Sequence, residues 1–140
     1  LSRFRGGRAV ILAFFPLALT PTCTAEVGDL RDAASFDGDV AILGVTVDSS
    51  AVLRAWAERE RIDFPLLSDF WPHGAVARMY EAFDGRSGRP TRVSYLIDAL
   101  GVIRASVTSA PGTARSISDY REAVRAAEAQ LNRAATPPSR

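Results

Sequence analysis

Two uninterrupted apolar runs, "AVILAFF" (residues 9–15) and "VAILGVTV" (residues 40–47), constrain this chain more than any other feature. Neither alternates polar with apolar residues, so neither reads as a strand with one wet face; both read as strands buried on two faces. Between them stands Thr20-Pro21-Thr22-Cys23. Threonine at an N-cap followed by proline at the first helical position is a helix start. Val27, Leu30 and Ala34 then follow Cys23 at helical spacing and form an apolar stripe. A strand, a helix and a second buried strand make a crossover unit, with parallel strands and a right-handed connection.

The rest of the chain adds to that unit. "DSS" after the second strand starts another helix, with Val52, Leu53 and Trp56 inward and Arg54, Glu58, Arg59 and Arg61 in water. "IDFPLLSDFWPHG" reads as a connector, and Val76, Met79, Tyr80 and Phe83 mark a short third helix after it. "DGRSGRPT" is loop by composition. "RVSYLID" and "VIRASV" read as strands joined by a hairpin at Asp98-Ala99-Leu100-Gly101. Ile117, Tyr120, Val124, Ala127 and Leu131 give a last amphipathic helix. The predicted order is β-α-β-α-α-β-β-α. That is an α/β, thioredoxin-like arrangement: a central mixed sheet with helices on both faces and its chemistry at a strand-to-helix turn. Residues 1–133 form the one expected domain, and residues 134–140 a flexible tail.

Composition narrows the function. The 140 residues are 47% hydrophobic and carry a formal net charge of +1, which gives no footing for a nucleic-acid surface or an anionic membrane. All seventeen basic residues are arginine, which fits a codon bias better than a phosphate-binding patch. "AVILAFFPLAL" is broken by Pro16 and is shorter than the ~18 residues a membrane span needs. A single cysteine, Cys23, and a single histidine, His73, exclude a disulfide framework, a Cys-x-x-Cys pair and a multi-thiolate zinc site. No metal or other cofactor is implied. A reducing cytoplasm is the expected setting.

Cys23 therefore carries the question. A lone cysteine is most often a small core hydrophobe. The first turn of a helix changes that reading, because its unpaired N–H groups and the positive end of the macrodipole stabilise a thiolate. Pro16, Thr20 and Cys23 stand as P-x-x-x-T-x-x-C. This pattern resembles the active site of the peroxiredoxins, and "FPLLSDFWPHGAVARMYEAF" and "RVSYLID" resemble their one-cysteine alkyl hydroperoxide reductase E group from actinobacteria. The resemblance implies a peroxidatic nucleophile at Cys23 and a Thr20 hydroxyl that bonds the peroxide or the thiolate. It implies that Pro16 shields the site, that Arg92 supplies positive charge, and that Glu26 orients that arginine. Alone, Thr20 reads as an N-cap whose hydroxyl accepts from the Cys23 amide, Pro16 as a strand terminator, Arg92 as a surface charge, and Glu26 as a polar helix position. His73 lies far from Cys23 in sequence and has no role in the family. Phe70 and Trp71 read as pocket-wall or subunit-contact aromatics.

The activity so implied is reduction of hydrogen peroxide and organic hydroperoxides through a Cys23 sulfenic acid. The sulfenic acid is reset by an external thiol, either mycothiol with a mycoredoxin or a thioredoxin-type reductant. A homodimer is implied as well. The rival readings are a non-catalytic thioredoxin-like redox-sensing or interaction domain, and a purely structural cysteine. Two departures stand out. Pro21 follows Thr20 where relatives commonly have glycine or another small residue. The chain opens on Leu1, and the N-terminal hairpin and short strand of relatives are missing before "LSRFRG", so a fragment of a longer protein is expected.

Overall fold

The computed structural model describes residues 1–33, 36 and 40–135. After a short 3-10 turn, the chain forms β1 (Ala9–Phe14), α1 (Pro21–Asp32), β2 (Val40–Thr46) and α2 (Ser50–Glu60). There follow β3 (Leu66–Ser68), α3 (Ala75–Met79), β4 (Phe83–Asp84) and β5 (Arg89–Pro90). β6 (Val93–Ile97), β7 (Ile103–Thr108) and α4 (Ile117–Ala135) complete it. Ala34, expected on the inner stripe of α1, lies outside the described residues, as do residues 136–140 of the expected tail.

Five strands form one sheet in the order β3-β2-β1-β6-β7. β1, β2 and β3 run parallel, and β6 and β7 join antiparallel on the other side of β1. The two crossovers step the same way across the sheet, so their right-handedness places α1 and α2 on one face. β1 sits at the centre, as its unbroken apolar sequence requires. Ile11, Ala13 and Phe15 point to the face packed by α1, α2 and α4; Val10, Leu12 and Phe14 point to the other, where Ala77 of α3 and Ala82 pack. Burying each large apolar side chain of this kind contributes about 1.5–3 kcal/mol.

Three local differences from the sequence reading have physical causes. The connector contains an edge strand, β3, because Leu66, Leu67 and Ser68 pair in parallel with Gly44, Val45 and Thr46 of β2. "DGRSGRPT" is the turn and second arm of a two-residue ribbon, with Phe83 opposite Pro90 and Asp84 opposite Arg89. α3 does not bury Val76 and Met79, which are 41% and 80% exposed; its inward residue is Ala77. Five residues are too few for a periodic stripe to fix orientation. The helix is held by Asp69 instead, whose buried carboxylate accepts the amides of Val76 at 3.0 Å and Ala77 at 2.8 Å.

Candidate active site

β1 delivers the chain to the end of the sheet, and residues 16–20 turn it into α1. Thr20 occupies the N-cap with extended backbone angles, and Pro21 begins the helix. Its hydroxyl does not cap. It donates to the Leu17 carbonyl at 2.8 Å, which corrects the expectation that it accepts from the Cys23 amide. The Thr22 and Cys23 amides precede the first intrahelical bond, from Thr24 N–H to Thr20 O. The Thr20 side chain therefore leaves the positive end of α1 uncapped.

Cys23 is fully buried. Arg92, just ahead of β6 and 69 residues away in sequence, donates through Nη1 to Cys23 Sγ at 3.5 Å. The same Nη1 bonds Glu26 Oε1, so one nitrogen faces both the sulfur and the carboxylate. Glu26 is 2% exposed, which overturns its reading as a wet helix position. Its other oxygen accepts from Arg115 Nε at 2.6 Å and from the Arg115 amide at 2.9 Å.

Arg115 is the residue sequence reasoning missed. It lies in the loop before α4, among seventeen basic residues, and nothing in its neighbourhood distinguishes it from a surface arginine. Yet it is 2% exposed, stacks over the Phe15 ring at 4.9 Å and donates through Nη1 to Ser94 Oγ at 2.8 Å. Ser94 Oγ in turn shares a hydrogen bond of 2.7 Å with the Tyr120 hydroxyl. Burial holds that phenol protonated beyond its ordinary range, while Arg115 and Ser94 pull weakly the other way. Among the described residues, the buried donors Arg92 Nε and Arg115 Nη2 meet no acceptor.

A cavity of about 520 Å³ opens beside Arg92. Pro16, Pro90, Thr91 and Val93 line it, with Thr108, Ser109 and Pro111 across from them, and Asp84 and Arg89 toward the ribbon. Pro16 and Arg92 thus both line this cavity, and Arg92 also reaches the sulfur. His73 stands apart: its Nε2 lies 2.7 Å from the Gly88 carbonyl, and its ring meets Phe83 edge-on. Phe70 and Trp71 are 56% and 81% exposed and do not line the cavity, so the pocket-wall reading of them fails. Among the described residues, no helix is long and apolar enough to cross a membrane.

The arrangement has the parts of a nucleophilic thiol site. A sulfur sits at a helix N-terminus, a fixed guanidinium bonds it, and a carboxylate holds the guanidinium from behind. Comparison with known proteins agrees. Residues 1–106 match the AhpC/TSA family. The chain is 40% identical over 117 residues to alkyl hydroperoxide reductase E of Mycobacterium tuberculosis, covering 82% of this chain and 76% of the relative. It is 36% identical over 115 residues to peroxiredoxin Bcp of Escherichia coli, covering 74% and 69% respectively. The reduced 2-Cys peroxiredoxin of Plasmodium vivax superposes with a TM-score of 0.85 at 26% identity, over 94% of this chain and 84% of that one. The chain belongs to the AhpC/TSA family of peroxiredoxins.

Proposed function

We propose that this chain is a thiol-dependent peroxidase in which Cys23 is the nucleophile, and that Arg92, Thr20, Pro16 and Glu26 serve it. The observation that carries this reading is the contact of Arg92 Nη1 with Cys23 Sγ at 3.5 Å inside a buried ion-pair network. The thiolate attacks one oxygen of a hydroperoxide. An S–O bond forms, the O–O bond breaks, and the leaving oxygen departs as water or an alcohol once protonated. Sulfur loses two electrons and the peroxide gains them, leaving a sulfenic acid. Negative charge moves from sulfur to the leaving oxygen, and a guanidinium with several donors can follow it. The Thr20 hydroxyl, anchored on Leu17 O, keeps oxygen lone pairs free to receive a peroxide proton. Pro16 keeps the sulfur side of the cavity dry, and Glu26 fixes Arg92.

Regeneration is assigned to an external thiol. It condenses with the sulfenic acid to a mixed disulfide and water, and a second thiol then releases Cys23. Family resemblance favours mycothiol with a mycoredoxin, with a thioredoxin-type reductant second. We place the reaction in the cytoplasm of the cell and assign a homodimer, with exposed Phe70 and Trp71 available for subunit contact. The whole of residues 1–133 acts as one catalytic domain.

The direct test is Cys23→Ser. The change is small in volume, so the fold should survive while peroxide consumption disappears. A sulfenic-acid trap should label the wild type at Cys23. Residual turnover in the serine variant would overturn the assignment.

A further inference from the structure

We infer that Asp48 is a positioning residue for the peroxidase site, pinning the turn that sets Pro16 and Thr20 over Cys23; this inference rests on Cys23 being the nucleophile. The turn from β1 into α1 has an unusual conformation. Leu19 has φ of 67° and is 43% exposed. A bulky residue with positive φ is a genuine outlier, and such strain persists only where the surroundings over-determine it. Leu19 immediately precedes Thr20, so its backbone angles decide where the N-cap and the start of α1 point.

Among the described residues, two hydrogen bonds hold the interior of the turn. The Thr20 hydroxyl bonds Leu17 O within the turn, and the Ala18 amide donates to Asp48 Oδ2 at 2.8 Å. The second is the one that reaches outside the turn, across 30 residues. A carboxylate accepting an amide gives a charge-assisted bond, stronger than a neutral one. Ala18 itself is 5% exposed, so its amide has little access to water as an alternative partner.

Asp48 is in turn held rigidly. Its amide donates to Thr46 Oγ1 at 3.0 Å, and its carbonyl accepts from Ser68 Oγ at 2.6 Å. Thr46 is fully buried in β2, and Ser49 next door caps α2 by accepting the Val52 amide at 3.3 Å. The carboxylate therefore transmits the position of the sheet end and of α2 to the turn. Asp48 is not among the residues that line the cavity, so it acts through the turn rather than on the peroxide.

The test compares wild type, Asp48→Ala and Asp48→Asn in single-turnover oxidation by stoichiometric hydrogen peroxide, with rapid quench and intact mass. The rate constant reports the geometry of competent molecules, and the amplitude reports how many are competent. Asp48→Ala should lower the rate constant on the order of tenfold, the equivalent of one charge-assisted hydrogen bond. Its thiolate absorbance at neutral pH should change far less than the rate, because Arg92, Glu26 and Arg115 are untouched. Asp48→Asn keeps an oxygen to accept the Ala18 amide and should recover most of the rate. A fall in amplitude alone, with the rate constant intact, would make Asp48 merely structural and overturn the proposal. An Asp48→Asn variant as slow as Asp48→Ala would also overturn it. A wild type no faster than free cysteine would overturn the peroxidase reading first, and this role with it.

Discussion

Counting charge around Cys23 shows why two arginines are buried there. Glu26 carries one negative charge, and Arg92 and Arg115, both paired to it, carry two positive ones. The three side chains form one buried charge cluster against the sulfur. Removing any one of these charges leaves another uncompensated, which costs several kcal/mol. Arg92→Ala should cut the rate of Cys23 oxidation at neutral pH by about 10²–10³, the usual cost of losing one preorganised donor. Arg92→Lys should recover only part of it, since a flexible ammonium does not fix one nitrogen between sulfur and carboxylate as the planar guanidinium does. Arg115→Met should also slow oxidation, because it leaves one oxygen of the buried Glu26 without its guanidinium partner. Stopped-flow oxidation and thiolate absorbance check all three, and an unchanged thiolate signal in Arg92→Ala would contradict the account. Thr20→Val should slow oxidation with less effect on that signal. In the sequence, the turn that Pro16, Thr20 and Cys23 share was legible from the residues themselves, whereas the roles proposed for Pro16, Thr20, Glu26 and Arg92 came only through resemblance. Arg115 was not legible, because its partner Glu26 is 89 residues away and burial leaves no local mark.

Elements differ in how much of their fate their own residues decide. β1, β2 and α1 could be read directly: long apolar runs have nowhere to go but the interior, and Thr20-Pro21 starts a helix in any context. β3 and the β4–β5 ribbon are two or three residues long, so their pairing depends on neighbours supplied by the fold. The β6–β7 hairpin lies between these cases, and Asp98 explains why its turn was readable. Its Oδ1 accepts the amides of Leu100 and Val102, each at 2.9 Å, and its Oδ2 accepts from Arg104 Nε at 2.6 Å. Gly101 supplies the positive φ of 85° the turn requires. Burial pushes the Asp98 carboxyl up, but the Val102 amide, Arg104 and the Leu100 amide together hold it below the ordinary aspartate value. A carboxyl lowered in the folded state stabilises the fold above its unfolded value, near 4. That contribution should be lost as pH falls through the lowered folded value. Asp98→Ala should therefore destabilise the protein by about 2 kcal/mol at neutral pH, and by less in acid. Denaturant unfolding at two pH values tests this; an equal loss at both would contradict it.

At the scale of the molecule, one thiol and one buried site determine how the enzyme must be reset. Cys23 is the one cysteine of these 140 residues and is fully buried, and the proposed reset brings a second thiol to it from another molecule. After peroxide and then mycothiol, intact mass should show one thiol adduct per chain, at Cys23. A Cys23–Cys23 dimer reduced efficiently by thioredoxin without any small thiol would contradict that route. Excess peroxide without reductant should drive Cys23 to the sulfinic acid, an inactivation dithiothreitol does not reverse.

In the proposed reaction the fold aims Cys23, as the nucleophile, at a peroxide bond. The most direct test is the second-order rate constant for Cys23 oxidation by stoichiometric hydroperoxide at neutral pH, measured beside free cysteine. Preorganised charge and a helix terminus predict a rate on the order of a thousandfold faster or more. A rate equal to that of free cysteine would mean that Arg92, Glu26 and the start of α1 hold a structural sulfur, and the account would be wrong.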